Sequence, residues 1–271
     1  MKLIKILTLG LYLVACVNSA LAAVTAKDFL LIKKKAEQGH AKSQCLLGLL
    51  YNSGDGVLKD PKVAVQWYRK AAEQGNAEGQ CLLGVSYCTG DGVLKDLKVG
   101  IQWCKIAAEQ GYADAQYLLG EFYSSATGVL KDPKVAVKWY RKAAEQGHAD
   151  AQCKLAMSYQ AGFGVMKDPK MAARWYRKAA EQGHAKGQFM LGALYHQGEG
   201  VLPDPKLAFQ WHRKAADQGH ANAQYLLGVA YYGGRGVLKD PKAAKKWIQK
   251  AHENGSKEAK EFWDKTELWK Y

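Results

Sequence analysis

The sequence predicts an all-α fold, an α-solenoid of six tandem helix-turn-helix units of 36 residues. Three observations carry this. A glycine column, Gly39, Gly75, Gly111, Gly147, Gly183, Gly219 and Gly255, advances by 36 residues at every step with no insertion. A tryptophan column, Trp67, Trp103, Trp139, Trp175, Trp211 and Trp247, keeps the same step and takes six of the eight tryptophans. Two sets of residues recur inside each period at helical spacing. A fixed period of this length marks an array of one supersecondary unit rather than a compact enzyme fold. The complete copies occupy residues 37–252, framed as 37–72, 73–108, 109–144, 145–180, 181–216 and 217–252.

Each unit holds two helices. Gln44, Leu47, Gly48 and Tyr51 recur at i, i+3, i+4, i+7 and define one face of a first helix, helix A, with Ala156 the one departure. Ala64, Trp67, Tyr68 and Ala71 define a second, helix B, in the same way. Asp60 and its equivalents stand at the N-cap of helix B, where a carboxylate accepts first-turn N–H groups. Pro61 follows at the first helical position, where the missing N–H costs nothing. Gly75 suits a left-handed C-terminal stop. Ala41, Ser43 and Gly48 are expected to let helix A approach Ala64 and Ala71, with tryptophan and tyrosine rings filling the volume between units.

The segment "LGLLYNSGDGVLKDPKVAVQWYRKAAEQG" (Leu47–Gly75) and its copies closely resemble the Sel1-like repeat, a relative of the tetratricopeptide repeat. The resemblance covers about residues 30–255 and implies a right-handed superhelix with helix A on its concave side, serving as an adaptor. Residues 23–36 read as an N-terminal capping helix. Residues 253–271, with Phe262, Trp263 and Trp269, read as a C-terminal one.

Residues 1–22 stand outside the pattern. Lys2 and Lys5 precede an apolar run, Ile6–Val17, too short to span a bilayer, and then Ala20 and Ala22 at A-x-A spacing. This reads as a bacterial secretory signal cut after Ala22. A lipobox-like reading at Leu13–Cys16 would leave an outer-membrane lipoprotein lipidated at Cys16, and an uncleaved apolar anchor is a third reading. The expected location is periplasmic or secreted. Removal of the segment takes two lysines and no acid from a net charge of +14. A basic exported chain can meet anionic lipid, wall polymer or an acidic protein, whereas export argues against nucleic acid. Membrane attachment is expected only through Cys16.

Chemistry is sparse. "GDGVLKD" lacks the strand before and the Gly-Lys-Ser/Thr ending of a phosphate loop, so it reads as a turn. His40, His148, His184 and His220 recur once per unit and do not converge as metal ligands. No cofactor, no metal and no catalytic constellation is expected, and the chain reads as a non-enzyme. The alternatives are a cell-wall or β-lactam-acting enzyme, as the resemblance to cysteine-rich members implies, and a lipid-anchored envelope organiser. The resemblance also implies a staple from a late helix B cysteine, but Ala71 and Ala72 occupy that place here, so free thiols are expected.

The columns that change from unit to unit point to function. On helix A the slots of Cys45, Leu49 and Asn52 form a second stripe at i, i+4, i+7. Its candidate partner-binding residues are Tyr117, Glu121, Met157, Gln160, Phe189, His196, Tyr225 and Tyr232, paving a concave face for a protein or peptide. Three departures, Leu97 for proline, Gly100 for alanine and Ala126 for glycine, predict a less regular second and third unit. For the thiols, an Ellman titration of the denatured, unreduced mature protein should register all five of Cys45, Cys81, Cys88, Cys104 and Cys153. A yield below half would show bridging.

Overall fold

The structure, a computed structural model, describes residues 25–266. The expected signal segment and Trp269 lie outside these residues. Among the described residues are fourteen α-helices and no strand. The chain divides into two compact units at Ala143 and Ala144. The first holds α1 (Ala26–Glu37), α2 (Ala41–Ser53), α3 (Pro61–Glu73), α4 (Ala77–Thr89), α5 (Leu97–Glu109), α6 (Ala113–Ser125) and α7 (Pro133–Glu145), whose last residues fall beyond the division. The second holds α8 (Ala149–Ala161), α9 (Pro169–Glu181), α10 (Ala185–Gln197), α11 (Pro205–Asp217), α12 (Ala221–Gly233), α13 (Pro241–Glu253) and α14 (Lys257–Thr266). Even-numbered helices from α2 to α12 are the A helices, and odd-numbered helices from α3 to α13 are the B helices.

The ends of helix B follow from its sequence. Asp60 Oδ1 accepts from the N–H groups of Lys62 and Val63 at 3.0 and 3.1 Å. Asp96, Asp132 and Asp204 repeat both bonds, and Asp168 and Asp240 make the longer-range one. The Asp60 N–H itself returns to the Tyr51 carbonyl at 2.8 Å, which closes the A-to-B turn. At the other end Gly75 has φ 82°, and the Asn76 N–H reaches the Ala71 carbonyl at 3.1 Å. A Cβ on Gly75 would meet nothing within 4 Å, so the left-handed backbone rather than space selects glycine.

Space selects glycine inside helix A. A Cβ on Gly48 would lie 2.5 Å from Tyr68 Cε1, and one on Gly120 would lie 2.4 Å from Tyr140 Cδ1. The aromatic of helix B therefore rests on the bare backbone of its own helix A. The small residues nearer the start of helix A act differently from expectation. Gly79 and Gly187, in the Ser43 slot, abut Ala71 and Ala179 of the preceding helix B, so they set the contact between repeats rather than within one.

A buried glutamine column joins successive repeats. Gln44 Nε2 donates to the Ala36 carbonyl at 3.1 Å, while Gln44 Oε1 accepts from Gln74 Nε2 at 2.7 Å. Gln80, Gln152, Gln188 and Gln224 make the same pair of bonds, the last with Asn254 in place of glutamine. Each amide thus adds a second donor to a helix C-terminal carbonyl that already accepts the N–H of the glycine that follows the helix. The tryptophans are mostly half-buried. Lys70, Lys142, Lys178, Lys214 and Lys250 lie 4.1–4.9 Å over the rings three residues earlier, a cation–π contact along the outer surface of helix B.

The expected irregularity does not show in the helix bounds. α5 keeps the same 13 residues as the other B helices despite Leu97 and Gly100. The Cys88 sulfur occupies the place of the missing methyl, 2.5 Å from where a Gly100 Cβ would sit. Ala126 adopts φ 58°, the one positive φ at a non-glycine among the described residues, so the turn keeps its shape at a local cost. Replacing Gln188 with Ala removes both stitches of its repeat and should destabilise the fold by about 2–4 kcal/mol in urea unfolding. A loss below about 0.5 kcal/mol would show that the column carries no net stability.

Candidate interaction surface

The variable stripe of helix A divides into an inner and an outer part. Its first slot faces the N-cap of the next helix A. The Cys45 thiol donates to Asn76 Oδ1 at 3.2 Å, and Asn76 in turn caps Gly79 N–H at 2.8 Å. Cys81 and Tyr112 share one apolar cluster. Cys153 lies 3.2 Å from His184 Nδ1, which also accepts the Gly187 N–H at 3.1 Å. An accepting Nδ1 places the ring proton on Nε2, 3.1 Å from Asp150 Oδ1. Phe189 stacks on His220 with centroids 4.6 Å apart, and it also approaches His212 at 5.7 Å. His148 and His220 cap their helices through Nδ1, while His40 and Tyr112 make no side-chain cap bond. The histidine ladder is therefore largely a capping ladder.

The second and third slots face the aromatic column of helix B. Tyr140 Oη donates to Glu121 Oε1 at 2.5 Å, and its ring lies 6.1 Å from that of Tyr117. Tyr176 Oη donates to Gln160 Oε1 at 3.2 Å, and Gln160 Nε2 donates to Glu199 Oε2 at 2.9 Å. Tyr225 and Tyr232 both meet Phe262 of α14 edge-on, at 5.9 and 5.5 Å. These two rings are therefore partly covered by the terminal helix.

The eight candidate residues separate accordingly. Tyr117, Glu121, Gln160, Phe189, Tyr225 and Tyr232 are half-buried and engaged with neighbouring side chains, whereas Met157 and His196 are exposed. The sequence could not show that the first slot packs against the next N-cap. The two columns do not change in step, since cysteine faces Asn76, Tyr112 and His184 in turn, so the pattern carried no signal.

All five described cysteines are buried and unbridged. Burial pushes the Cys45 thiol up to about 12, and a hydrogen bond that the Cys81 thiol makes with Cys104, together with burial, raises Cys81. Such thiols stay protonated at neutral pH and are poor nucleophiles. Among the described residues no group of three or more His, Cys, Asp or Glu side chains could hold a metal, and no helix is long and apolar enough to cross a membrane.

Paired helices stacked through small residues, with capped B helices at a constant interval, define an α-solenoid of the tetratricopeptide-like class. The Sel1 repeat family model matches residues 41–76, 77–112, 113–148, 149–184, 185–220 and 221–256, and the chain belongs to this family. The matched frame begins four residues after the one drawn at Glu37, with the same period. Among solved structures, the chain is similar to a protective antigen of uropathogenic Escherichia coli strains, at 37% identity and TM-score 0.75. The match covers 86% of this chain and 50% of that one, so the chain spans about half the length of that relative. It is also similar to a Sel1 repeat protein from Oxalobacter formigenes, at 36% identity and TM-score 0.71, covering 79% of this chain and 86% of that one. No curated protein matches the chain. Sel1 repeats generally build protein-interaction scaffolds.

His212 gives the surface a pH signature. It occupies the tyrosine slot of helix B, its Nε2 is buried without a partner, and burial, with a smaller contribution from His196, lowers it to about 4. In the unfolded chain the ring takes its proton near 6.5, so the unfolded state binds more protons between these values. The contribution is complete above pH 6.5 and is lost as pH falls toward 4. Relative to H212Y, the wild type should lose roughly 2 kcal/mol more on going from about pH 7.5 to about pH 5 in urea unfolding. Equal losses would show that the imidazole is already charged in the fold.

Proposed function

We propose that the chain is a non-catalytic scaffold that binds a protein or peptide through the outer part of the helix A stripe. The observation that carries this reading is the contrast within one helix. In α8 and α10 the glutamine, glycine and leucine columns are buried, whereas Met157 and His196, in columns that differ between repeats, are exposed. A flexible thioether and an imidazole form an adaptable contact pair.

The site is proposed to lie outside the inner membrane, periplasmic or secreted. The basic start, the apolar run and Ala20 and Ala22 support this, and Cys16 supports the lipoprotein alternative. Mass spectrometry of the mature protein separates them: Ala23 at the N-terminus on the first reading, diacylated Cys16 on the second. Similarity to a protective antigen supports a role at the bacterial surface or in host contact.

The binding reading is tested by placing benzoylphenylalanine at Met157 or His196, with Gln66 and Gln210 on exposed helix B faces as controls, in the native host. A discrete crosslinked protein should form from the helix A positions alone. No crosslink at either helix A position, or identical bands from all four, would reject the helix A face.

A further inference from the structure

Each A-to-B turn carries one large aliphatic side chain standing almost fully in solvent. Leu58, Leu94 and Leu130 in the first unit are 88%, 89% and 90% exposed, and Met166, Leu202 and Leu238 in the second are 85%, 86% and 88% exposed. The local backbone explains the direction. Val57, Val93 and Val129 turn partly inward, the latter two against apolar clusters, and the next residue of the extended link points away. Folding gains almost nothing from an aliphatic group so exposed, and the turn would form as well with serine or lysine there.

The slot is nevertheless Leu or Met in all six repeats, while a neighbouring slot on the same turn reads Asp55, Asp91, Thr127, Phe163, Glu199 and Arg235. Lysine surrounds it. Lys59, Lys95, Lys167 and Lys239 follow directly, and Lys62, Lys98, Lys134, Lys170, Lys206 and Lys242 lie four residues on, all exposed. The intervening Asp60 carboxylate and its equivalents are directed into helix N–H groups.

We infer that these turns are interfacial anchors that seat the protein on a bilayer surface rich in anionic phospholipid. An aliphatic tip enters the boundary between headgroup and acyl chain while flanking lysines remain with the phosphates. The chemistry favours lipid over a polypeptide partner. A polypeptide presents a different side chain at each position and is read by different residues, whereas a fluid surface accepts the same tip at every turn. The attachment is peripheral, and it uses the turns rather than the helix A stripe, so it stands apart from the binding reading above.

The test uses full-length protein and vesicles of phosphatidylcholine alone or mixed with phosphatidylglycerol. Cosedimentation should require the anionic lipid, weaken with salt, and fall roughly tenfold or more when the six tips are changed together to serine. Thermal unfolding should be unchanged, since the tips are exposed. Benzoylphenylalanine at Leu94 or Leu202 should crosslink to phospholipid, a readout independent of the apolar residues 6–17. Undiminished binding of the serine variant overturns the inference, as does a probe at these tips that captures protein and no lipid.

Discussion

The buried glutamine amide is the interaction on which the rest of the structure depends. Stacked helices leave a row of C-terminal carbonyls facing the next repeat, where water is excluded. Gln44 and its equivalents give one such carbonyl a second donor, beside the N–H of the stop glycine, and offer the amide oxygen to the glutamine that ends the following helix B. The bond geometry allows one vertical offset between neighbouring repeats. A column of leucines in the same place would supply more apolar burial but would accept slippage, because hydrophobic contact is non-directional. The polar pair therefore fixes the register in which everything else is packed.

With the register fixed, helix A and helix B can approach closely, and the glycine column follows. The Tyr68 and Tyr140 rings lie where Cβ atoms of Gly48 and Gly120 would be. The aromatic slot tolerates replacement by Cys104, His212 or Ile248, all buried, because each still rests on a bare backbone. Replacement changes what the slot offers to helix A. Tyrosine presents a hydroxyl that holds Glu121 or Gln160; cysteine and isoleucine present no comparable donor. The variable stripe is thus partly a response to the aromatic column beneath it and partly surface.

That division explains which parts of the candidate surface were legible. Met157 and His196, two of the variable slots, are exposed. Tyr225 and Tyr232 looked like anchors because they are aromatic and variable, yet Phe262 of the terminal helix meets both. Variation in a half-buried slot reports any neighbour that changes with it, whether that neighbour is a partner protein or the next repeat. The exposed leucines show the converse. A slot held to Leu or Met at Leu58 and its equivalents reads as structural, and solvent exposure separates it from the invariant Leu47, which is fully buried.

The sequence by itself determined the unit, its period and its ends. Asp60, Pro61 and Gly75 act within one or two turns of themselves, so capping and stopping are local properties that a single period displays. The tertiary structure decided what lies between units: that Gln74 closes on Gln44, that Gly79 seats on Ala71, and that Cys45 turns to Asn76. These contacts join residues of different helices or their caps, and periodic spacing is equally compatible with several offsets between neighbours. Directional hydrogen bonds and close approach of small side chains select one offset, and both exist only once the helices are stacked.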